Sequence, residues 1–177
     1  MYDDKKIGIF GGSFDPPHEG HVKICKISLK KLGLKKVYWI VANKNPLKRV
    51  PFYSIKQRVL KSKKLTKKQK KIEVLSSNKE LKSSRTISII NHFIKKRKQK
   101  NLYLILGSDS LINFHKWTSW KKIVKLSKLV VFSRKGYVKK SKESKIVKYI
   151  KKQNIIYINN KLFNISSTMI RRRLKNY

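Results

Sequence analysis

Residues 11–21 read Gly-Gly-Ser-Phe-Asp-Pro-Pro-His-Glu-Gly-His and directly follow an apolar run, Ile-Gly-Ile-Phe, at residues 7–10. The apolar run predicts a buried strand, and the two glycines after it let the backbone approach a ligand closely. Gly20 and His21 open a helix whose free N–H groups and dipole favour anions. This stretch therefore predicts a strand, a tight turn and a helix start that together bind phosphate.

Two histidines stand at the predicted helix start. His18 and His21 are three residues apart, so they project from neighbouring positions on the first turn if the helix already includes His18. The stretch lacks the Gly-Lys-Ser/Thr of a P-loop and the G-x-G-x-x-G of a dinucleotide fold. A plain turn with one ordinary histidine is the alternative, but it does not account for this combination of residues. We therefore expect two imidazoles beside one anion site.

A second candidate phosphate site lies near the C-terminus, where residues 165–171 read Ile-Ser-Ser-Thr-Met-Ile-Arg. Serine and threonine at a helix start are ordinary caps, and the arginines at 171–173 on their own describe a basic tail. Hydroxyls and free N–H groups at a helix N-terminus, with Arg171 one turn further in, form a phosphate grip when taken together.

Weaker signals lie in the middle of the chain. Gly107-Ser108-Asp109 follows an apolar run, although an aspartate that caps a helix is common in such a turn. Trp117 and Trp120 belong to a Phe-x-x-Trp-x-x-Trp pattern, and indoles at this spacing more often pack in a core than bind a ligand.

Apolar runs alternate with helical periodicity along the whole chain. This pattern predicts an α/β fold with a doubly wound, Rossmann-like parallel sheet in a single domain, residues 1–177. A Lys/Ser-rich segment at 137–145 is expected to be a mobile surface loop. Ligands are expected at the carboxyl ends of the strands. Beyond residues 7–10, strands are predicted at 37–42, 72–75, 102–106, 129–132 and 155–158, and the main helices at 22–32, 54–65, 86–94, 120–126, 146–151 and from 167.

The net charge of +39 suggests a nucleic-acid partner at first sight. The lysines, however, occur in every segment and form no single stripe interleaved with aromatic residues. We therefore expect solvated lysine-rich faces and no specific nucleic-acid binding.

Cys25 is the single cysteine, which excludes an intrachain disulfide, and its apolar neighbours predict a buried thiol. No apolar segment approaches the about 18 residues of a membrane span. We expect a soluble, unprocessed protein without a membrane partner, located in the cytoplasm.

The H-x-G-H pattern of residues 18–21 resembles the signature of the nucleotidyltransferase superfamily. The longer string at 11–21 and the I-S-S-T-x-I-R at 165–171 are most similar to bacterial nicotinate-nucleotide adenylyltransferases. That resemblance implies transfer of AMP from ATP to nicotinate mononucleotide in NAD biosynthesis, giving deamido-NAD and pyrophosphate. It also implies Mg²⁺ held by the nucleotide and water, with no residue of the chain assigned as a metal ligand.

The resemblance also assigns roles to individual residues. The catalytic residues are expected to be His18, His21 and Arg171. Trp117 is expected to stack on the pyridine ring, and Trp120 to pack in the core. The expected ATP-binding residues are Gly11, Ser13, Phe14, His18, His21, Gly107, Asp109, Ser166, Ser167, Thr168 and Arg171. The expected acceptor-binding residues are Gly12, Ser13, Lys48, Thr86, Trp117 and Arg134.

This chain departs from the family pattern at one place, since it has Arg85-Thr86 and Ser88 where the family usually has a Tyr-Thr pair and an acidic residue. Two rival functions are also compatible with these residues. Pantetheine-phosphate adenylyltransferases resemble the chain too, but they usually have a threonine at the position of His18. A basic RNA-binding protein is the rival from another class, and its binding would weaken steeply as salt rises.

Overall fold

The computed structural model describes residues 4–43, 50–150, 154–159 and 165–175 of the chain. These residues form an α/β fold, which confirms the predicted fold class. The strands are β1 (Ile7–Gly12), β2 (Lys36–Val41), β3 (Ile72–Ser76), β4 (Leu102–Gly107), β5 (Lys128–Phe132) and β6 (Ile155–Ile158). The helices are α1 (Glu19–Leu32), α2 (Ile55–Thr66), α3 (Thr86–Lys95), α4 (Ser108–Ile112), α5 (Trp120–Leu126), α6 (Val138–Lys142), α7 (Lys145–Tyr149) and α8 (Ser167–Lys175), with a short 3₁₀ turn at Phe114–Lys116.

The six strands form one sheet in the order β3-β2-β1-β4-β5-β6, and β2–β3, β4–β5 and β5–β6 are parallel pairs. This order is that of a doubly wound nucleotide-binding fold. The chain divides into two compact units. We call residues 10–84 and 163–177 the His18 unit, and residues 1–9 and 85–162 the Asp109 unit.

In the His18 unit, strand β2 runs through the core. Val37, Trp39, Ile40 and Val41 are fully buried, as expected for a strand that is covered on both faces. Helix α1 ends at Gly33, whose φ of 61° is a left-handed conformation that glycine adopts without strain. Helix α2 begins at a capping box, where Ser54 and Gln57 exchange side-chain to backbone hydrogen bonds.

In the Asp109 unit, strand β5 is buried after its first residue, Lys128, which is exposed. Residues 129–132 are at most 1% exposed, and β5 pairs with β4 on one side and β6 on the other. Its uninterrupted apolar run is typical of a central parallel strand, because such a strand has no face in contact with water.

The loop prediction for residues 137–145 is wrong. Residues 138–142 form α6, and α7 starts at Lys145. The two serines of this segment are buried, and their hydroxyls donate to helix carbonyls: Ser141 to Val138 O at 2.7 Å, and Ser144 to Ser141 O at 2.7 Å. The hydrogen-bonding groups of these serines are therefore satisfied inside the fold, so the Lys/Ser-rich composition of the segment does not by itself indicate a loop.

The prediction for Cys25 is confirmed. The thiol is completely buried in α1, and burial raises its pKa above the ordinary value. No helix within the described ranges has both the length and the apolar character that a membrane crossing requires.

Candidate functional site

The paired histidines lie at the start of α1. His18 is the N-cap residue with extended backbone, and His21 is the third residue of the helix. The His21 N–H donates to His18 O at 2.9 Å. The two imidazole rings stack, with centroids 3.7 Å apart and planes inclined by 29°. The predicted neighbourhood of the two rings is therefore present at a helix N-terminus, where the dipole favours an anion.

A backbone bond sets the proton position on His21. The N–H of His18 donates to Nδ1 of His21 at 3.2 Å. A nitrogen accepts only when it carries no proton, so neutral His21 has its proton on Nε2, where it is a hydrogen-bond donor. Two protonated rings at this separation would repel each other, and a bound anion would offset that repulsion.

The glycines of the motif differ in what surrounds them. A Cβ at Gly20 would lie 3.0 Å from the His18 ring, and a Cβ at Gly12 would lie 3.1 Å from the Phe14 ring. A Cβ at Gly11 would meet nothing within 4 Å. Gly12 and Gly20 therefore make room for neighbouring rings, whereas Gly11 faces open space.

Aromatic residues pack around His21. Phe14 and Trp39 lie 5.0 and 5.7 Å from the His21 ring centroid, and 4.7 Å from each other. Phe14 has a φ of 49°, which is uncommon for a residue other than glycine, and its side chain is buried. Surrounding contacts must stabilise such a conformation, and the packed rings supply them.

Helix α8 contacts the turn that follows β1. The Ser167 hydroxyl donates to Pro16 O at 2.8 Å, and the Arg171 guanidinium donates to Asp15 O. A second nitrogen of Arg171 lies 3.2 Å from the Thr168 hydroxyl. The Ser166 hydroxyl accepts from the backbone of the helix at 3.2 Å, as a cap does. The two most specific sequence motifs, 11–21 and 165–171, are thus in direct contact.

Asp15 and Arg58 are buried charges in the same unit. Both carboxylate oxygens of Asp15 accept backbone N–H groups, from Phe52 at 2.7 Å and from Tyr53 at 2.8 Å. Arg58 is 1% exposed, and burial lowers its pKa, an effect that the nearby Asp15 carboxylate opposes. Its guanidinium stays charged even so, because the ordinary pKa of arginine is far above neutrality.

In the Asp109 unit, the Gly-x-Asp turn lies at the end of β4. Asp109 accepts from the Arg134 guanidinium at 2.6 Å, and the Ser108 hydroxyl accepts the Arg134 backbone N–H at 2.9 Å. A Cβ on Gly107 would overlap the Asp109 carboxylate. A side chain at this position would therefore displace the carboxylate, which folds back over the turn.

The tryptophans of this unit have different neighbours. Trp117 stacks on Phe114, with centroids 4.7 Å apart and an angle of 27°, and it is half-buried. Trp120 contacts Tyr149 edge to face at 4.8 Å. Thr86 is the first residue of α3 and is also half-buried. Lys48 lies outside the described residues.

In the described part of the chain, no three His, Cys, Asp or Glu side chains cluster as metal ligands. Sequence reasoning missed three residues of the His18 unit: it gave Asp15 and Arg58 no role, and it placed Trp39 only in a buried strand. For Arg58 a signal existed, since the other basic residues of α2 are lysines. A single arginine among lysines suggests that the position needs the planar guanidinium, which donates several hydrogen bonds in fixed directions.

The sequence is similar to known proteins over almost its full length. The model of the cytidylyltransferase-like family matches residues 9–173. A protein of Pelagibacter ubique (strain HTCC1062) named "Probable nicotinate-nucleotide adenylyltransferase" is 41% identical over 167 residues, covering 94% of this chain and 92% of that protein. A protein of the same name from Clostridium novyi (strain NT) is 36% identical, covering 97% of this chain and 88% of that protein.

The fold is similar to solved structures as well. One is the Plasmodium falciparum nicotinic acid mononucleotide adenylyltransferase complexed with NaAD, with a TM-score of 0.72 and 18% identity over 95% of this chain and 83% of that chain. The same enzyme complexed with APC gives a TM-score of 0.73 at 16% identity, with the same coverage. At these identities the likeness establishes the fold.

Proposed function

We propose a function from one premise: the chain belongs to the cytidylyltransferase-like family and, within it, to the nicotinate-nucleotide adenylyltransferases. It is thus a nucleotidyltransferase, and the reaction is transfer of AMP from ATP to nicotinate mononucleotide, with deamido-NAD and pyrophosphate as products. One observation in the His18 unit carries this proposal. The stacked pair His18 and His21 stands at the N-terminus of α1, and α8 places Ser167 and Arg171 against the same turn.

The chemistry requires alignment more than proton transfer. The nucleophile is a phosphate oxygen of the mononucleotide, which is already ionised at neutral pH, so no general base is needed. That oxygen attacks the α-phosphorus of ATP in line, the bond from this phosphorus to the bridging oxygen breaks, and pyrophosphate leaves. No covalent enzyme intermediate forms. The barrier lies in bringing two polyanions together and in stabilising the charge that develops.

Each phosphate then has assigned partners in the His18 unit. His18 and His21 contact the triphosphate around the reacting phosphorus, with the Nε2–H of His21 as a donor. Arg171, Ser167 and the N-terminus of α8 bind the β- and γ-phosphates. The backbone of residues 11–14 adds N–H groups and close approach, because Gly11 leaves open space above it. The net charge of +39 favours both anionic substrates.

Residues of the Asp109 unit are proposed for the nucleoside and the acceptor. The Asp109 carboxylate accepts from ribose hydroxyls, and Arg134 binds the acceptor. Trp117 covers the pyridine ring with the face opposite Phe114, while backbone N–H groups near Thr86 donate to the ring carboxylate. We also propose that residues 1–177 work as one nucleotidyltransferase domain, because the family match at 9–173 runs through both units.

Mg²⁺ bound together with the nucleotide would supply positive charge that partly neutralises the phosphates. The protein side fits this arrangement. Both oxygens of Asp15 already accept backbone N–H groups, and Glu19 is exposed on α1. Phosphates and water would therefore supply most of the Mg²⁺ ligands. Histidine and arginine side chains of the chain would donate to the phosphate oxygens that the metal ion does not coordinate.

Acceptor choice tests this function directly. Purified chain is given saturating Mg-ATP with nicotinate mononucleotide, its amide counterpart or phosphopantetheine at physiological salt, and pyrophosphate release is followed. We expect kcat/KM for the nicotinate compound to exceed that for the amide by at least about tenfold, or about 1.4 kcal/mol. The ring carboxylate accepts from the backbone N–H donors near Thr86, whereas the amide would place its NH₂ group against one of these donors.

Equal efficiency for the nicotinate and amide compounds would refute the nicotinate assignment and leave adenylyl transfer intact. Turnover with phosphopantetheine alone would favour the pantetheine-phosphate adenylyltransferases instead. No turnover with any of the three acceptors would refute the transferase.

A further inference from the structure

Arg58 contacts more of the His18 unit's backbone than its position on a surface helix suggests. Its four hydrogen bonds all go to main-chain carbonyl groups. Nε donates to Tyr53 O at 2.9 Å, and Nη2 donates to Asn43 O at 3.0 Å. Nη1 donates to Ser13 O at 2.7 Å and to Ala42 O at 2.6 Å.

These carbonyl groups belong to three separate segments. One is the turn after β1, the second is the end of β2, and the third is the entry to α2. Asp15 adds a connection between the first and third segments, since its carboxylate accepts the N–H groups of Phe52 and Tyr53. A guanidinium and a carboxylate together therefore hold three segments by six backbone bonds.

Stability alone does not require a charge at this place. Burying a cation costs free energy, and replacing buried ionic groups by apolar ones of similar volume is often neutral or stabilising. What an apolar residue lacks is the planar fork, which donates in several fixed directions at once. The geometry at Arg58 uses four of these directions, so its specific contribution is to set where the segments lie.

We propose that Arg58 is a positioning residue for adenylyl transfer, because it sets the turn after β1 against the end of β2 and the entry to α2. Ser13, which it binds, lies five residues before His18 on that turn. A displacement of about 1 Å in a reacting group can cost about 100-fold in rate. This inference rests on the proposed function and adds a residue that the sequence motifs do not include.

Two substitutions test the proposal. Arg58→Lys keeps the charge and the aliphatic stem but removes the fork. Arg58→Gln removes the charge as well. The control is Val37→Ala, which removes buried volume at the opposite end of β2, five residues from Ala42 and about 16 Å away at the usual rise of a strand.

We expect Arg58→Lys to lower kcat by at least about 30-fold, with KM for ATP changed less than about threefold. Arg58→Gln should lower kcat further, so that lysine restores part of the rate. Val37→Ala should lower the melting temperature yet keep kcat within about twofold at temperatures where it is folded. A kcat for Arg58→Lys within twofold of wild type would overturn the proposal. So would failure of both Arg58 variants to fold, since Arg58 would then be a folding requirement.

Hydrogen exchange separates this proposal from the proposed function. Arg58→Lys should speed exchange of the Phe52 and Tyr53 amides and leave the amides of β4 unchanged. A wild-type chain without transferase activity would refute the function, while the exchange rates would still show whether Arg58 holds the segments. Unchanged exchange at Phe52 and Tyr53 would overturn the positioning role.

Discussion

The His18 unit and the Asp109 unit hold their charged residues in different ways. In the His18 unit, Asp15 and Arg58 are buried and bind backbone groups. In the Asp109 unit, Asp109 and Arg134 bind each other at 2.6 Å, and their side chains are 21% and 46% exposed. Replacing a partner costs much in the first arrangement and little in the second.

This difference matches what each region is proposed to bind. Stabilising a developing charge requires donors whose positions are set before the substrate arrives, because reorganisation then costs nothing during the reaction. Binding a ribose or a pyridine ring tolerates adjustment. Buried charges tied to backbone suit the first task, and a partly exposed side-chain pair that can exchange its partner suits the second.

The largest expected effect is at the histidines. His18→Ala and His21→Ala should each lower kcat by about 100-fold or more, since each removes a group proposed to stabilise charge near the reacting phosphorus. Steady-state kinetics at saturating substrates measures this change. His92→Ala, in α3 of the Asp109 unit, is the matched control and should keep its rate. A folded His18 or His21 variant with normal turnover would contradict the assigned role.

The next largest effect is expected for Arg171→Ala. Loss of a charged hydrogen-bond donor to phosphate costs about 2 kcal/mol, which is about 30-fold in the KM for ATP. Arg173→Ala, exposed on the same helix, should change that KM less than about twofold. Equal effects at the two positions would mean that general positive charge, and not the contact with the turn after β1, decides binding.

A smaller effect is expected in the Asp109 unit. Asp109→Asn keeps the shape but weakens the acceptor, and we expect the KM for ATP to rise about five- to tenfold. Gly107→Ala should change KM in the same direction, because the added Cβ displaces the Asp109 carboxylate. Glu143→Gln, an exposed acid in the same unit, should have no effect. A loss of kcat in Asp109→Asn as large as that in the histidine variants would contradict the proposed difference in role between the two units.

The smallest effects concern stability at two glycines. Gly11→Ala places its Cβ in open space, so the melting temperature should stay the same or rise slightly, since alanine restricts the unfolded chain. Gly20→Ala adds helix propensity worth about 1 kcal/mol but presses on the His18 ring, so we expect no net gain. Calorimetry of both variants gives the comparison, and a clear stabilisation by Gly20→Ala would show that the His18 ring moves easily.

Local sequence patterns predicted most of the fold. The strand predicted at 155–158 has the observed bounds, and the helix predicted from residue 54 has Ser54 as its N-cap. These features depend on residues close together in the chain. The segment 137–145 was mispredicted because serine hydroxyls that bond to carbonyls three residues away look, in composition, like those of a loop.

The site was predictable only in part. The sequence spacing of three residues predicts that His18 and His21 lie close together, but His18 is the extended N-cap residue and not part of the helix, so the stacking of the two rings depends on the cap geometry. The four carbonyl partners of Arg58 lie 5 to 45 residues away, and no local pattern specifies them. The same holds for Trp39, which lies in an ordinary apolar strand and reaches Phe14 and His21 only after folding.

Trp39 also allows ligand binding in the His18 unit to be followed by intrinsic fluorescence. It is the single tryptophan of the His18 unit, whereas Trp117 and Trp120 belong to the other unit. Its indole lies 5.7 Å from the His21 ring, and indole emission responds to charge nearby. A chain that carries phenylalanine at 117 and 120 would therefore emit from Trp39 alone. We then expect titration with inorganic pyrophosphate to change the wavelength or the intensity of this emission as pyrophosphate binds beside the histidines, so that no attached dye is needed.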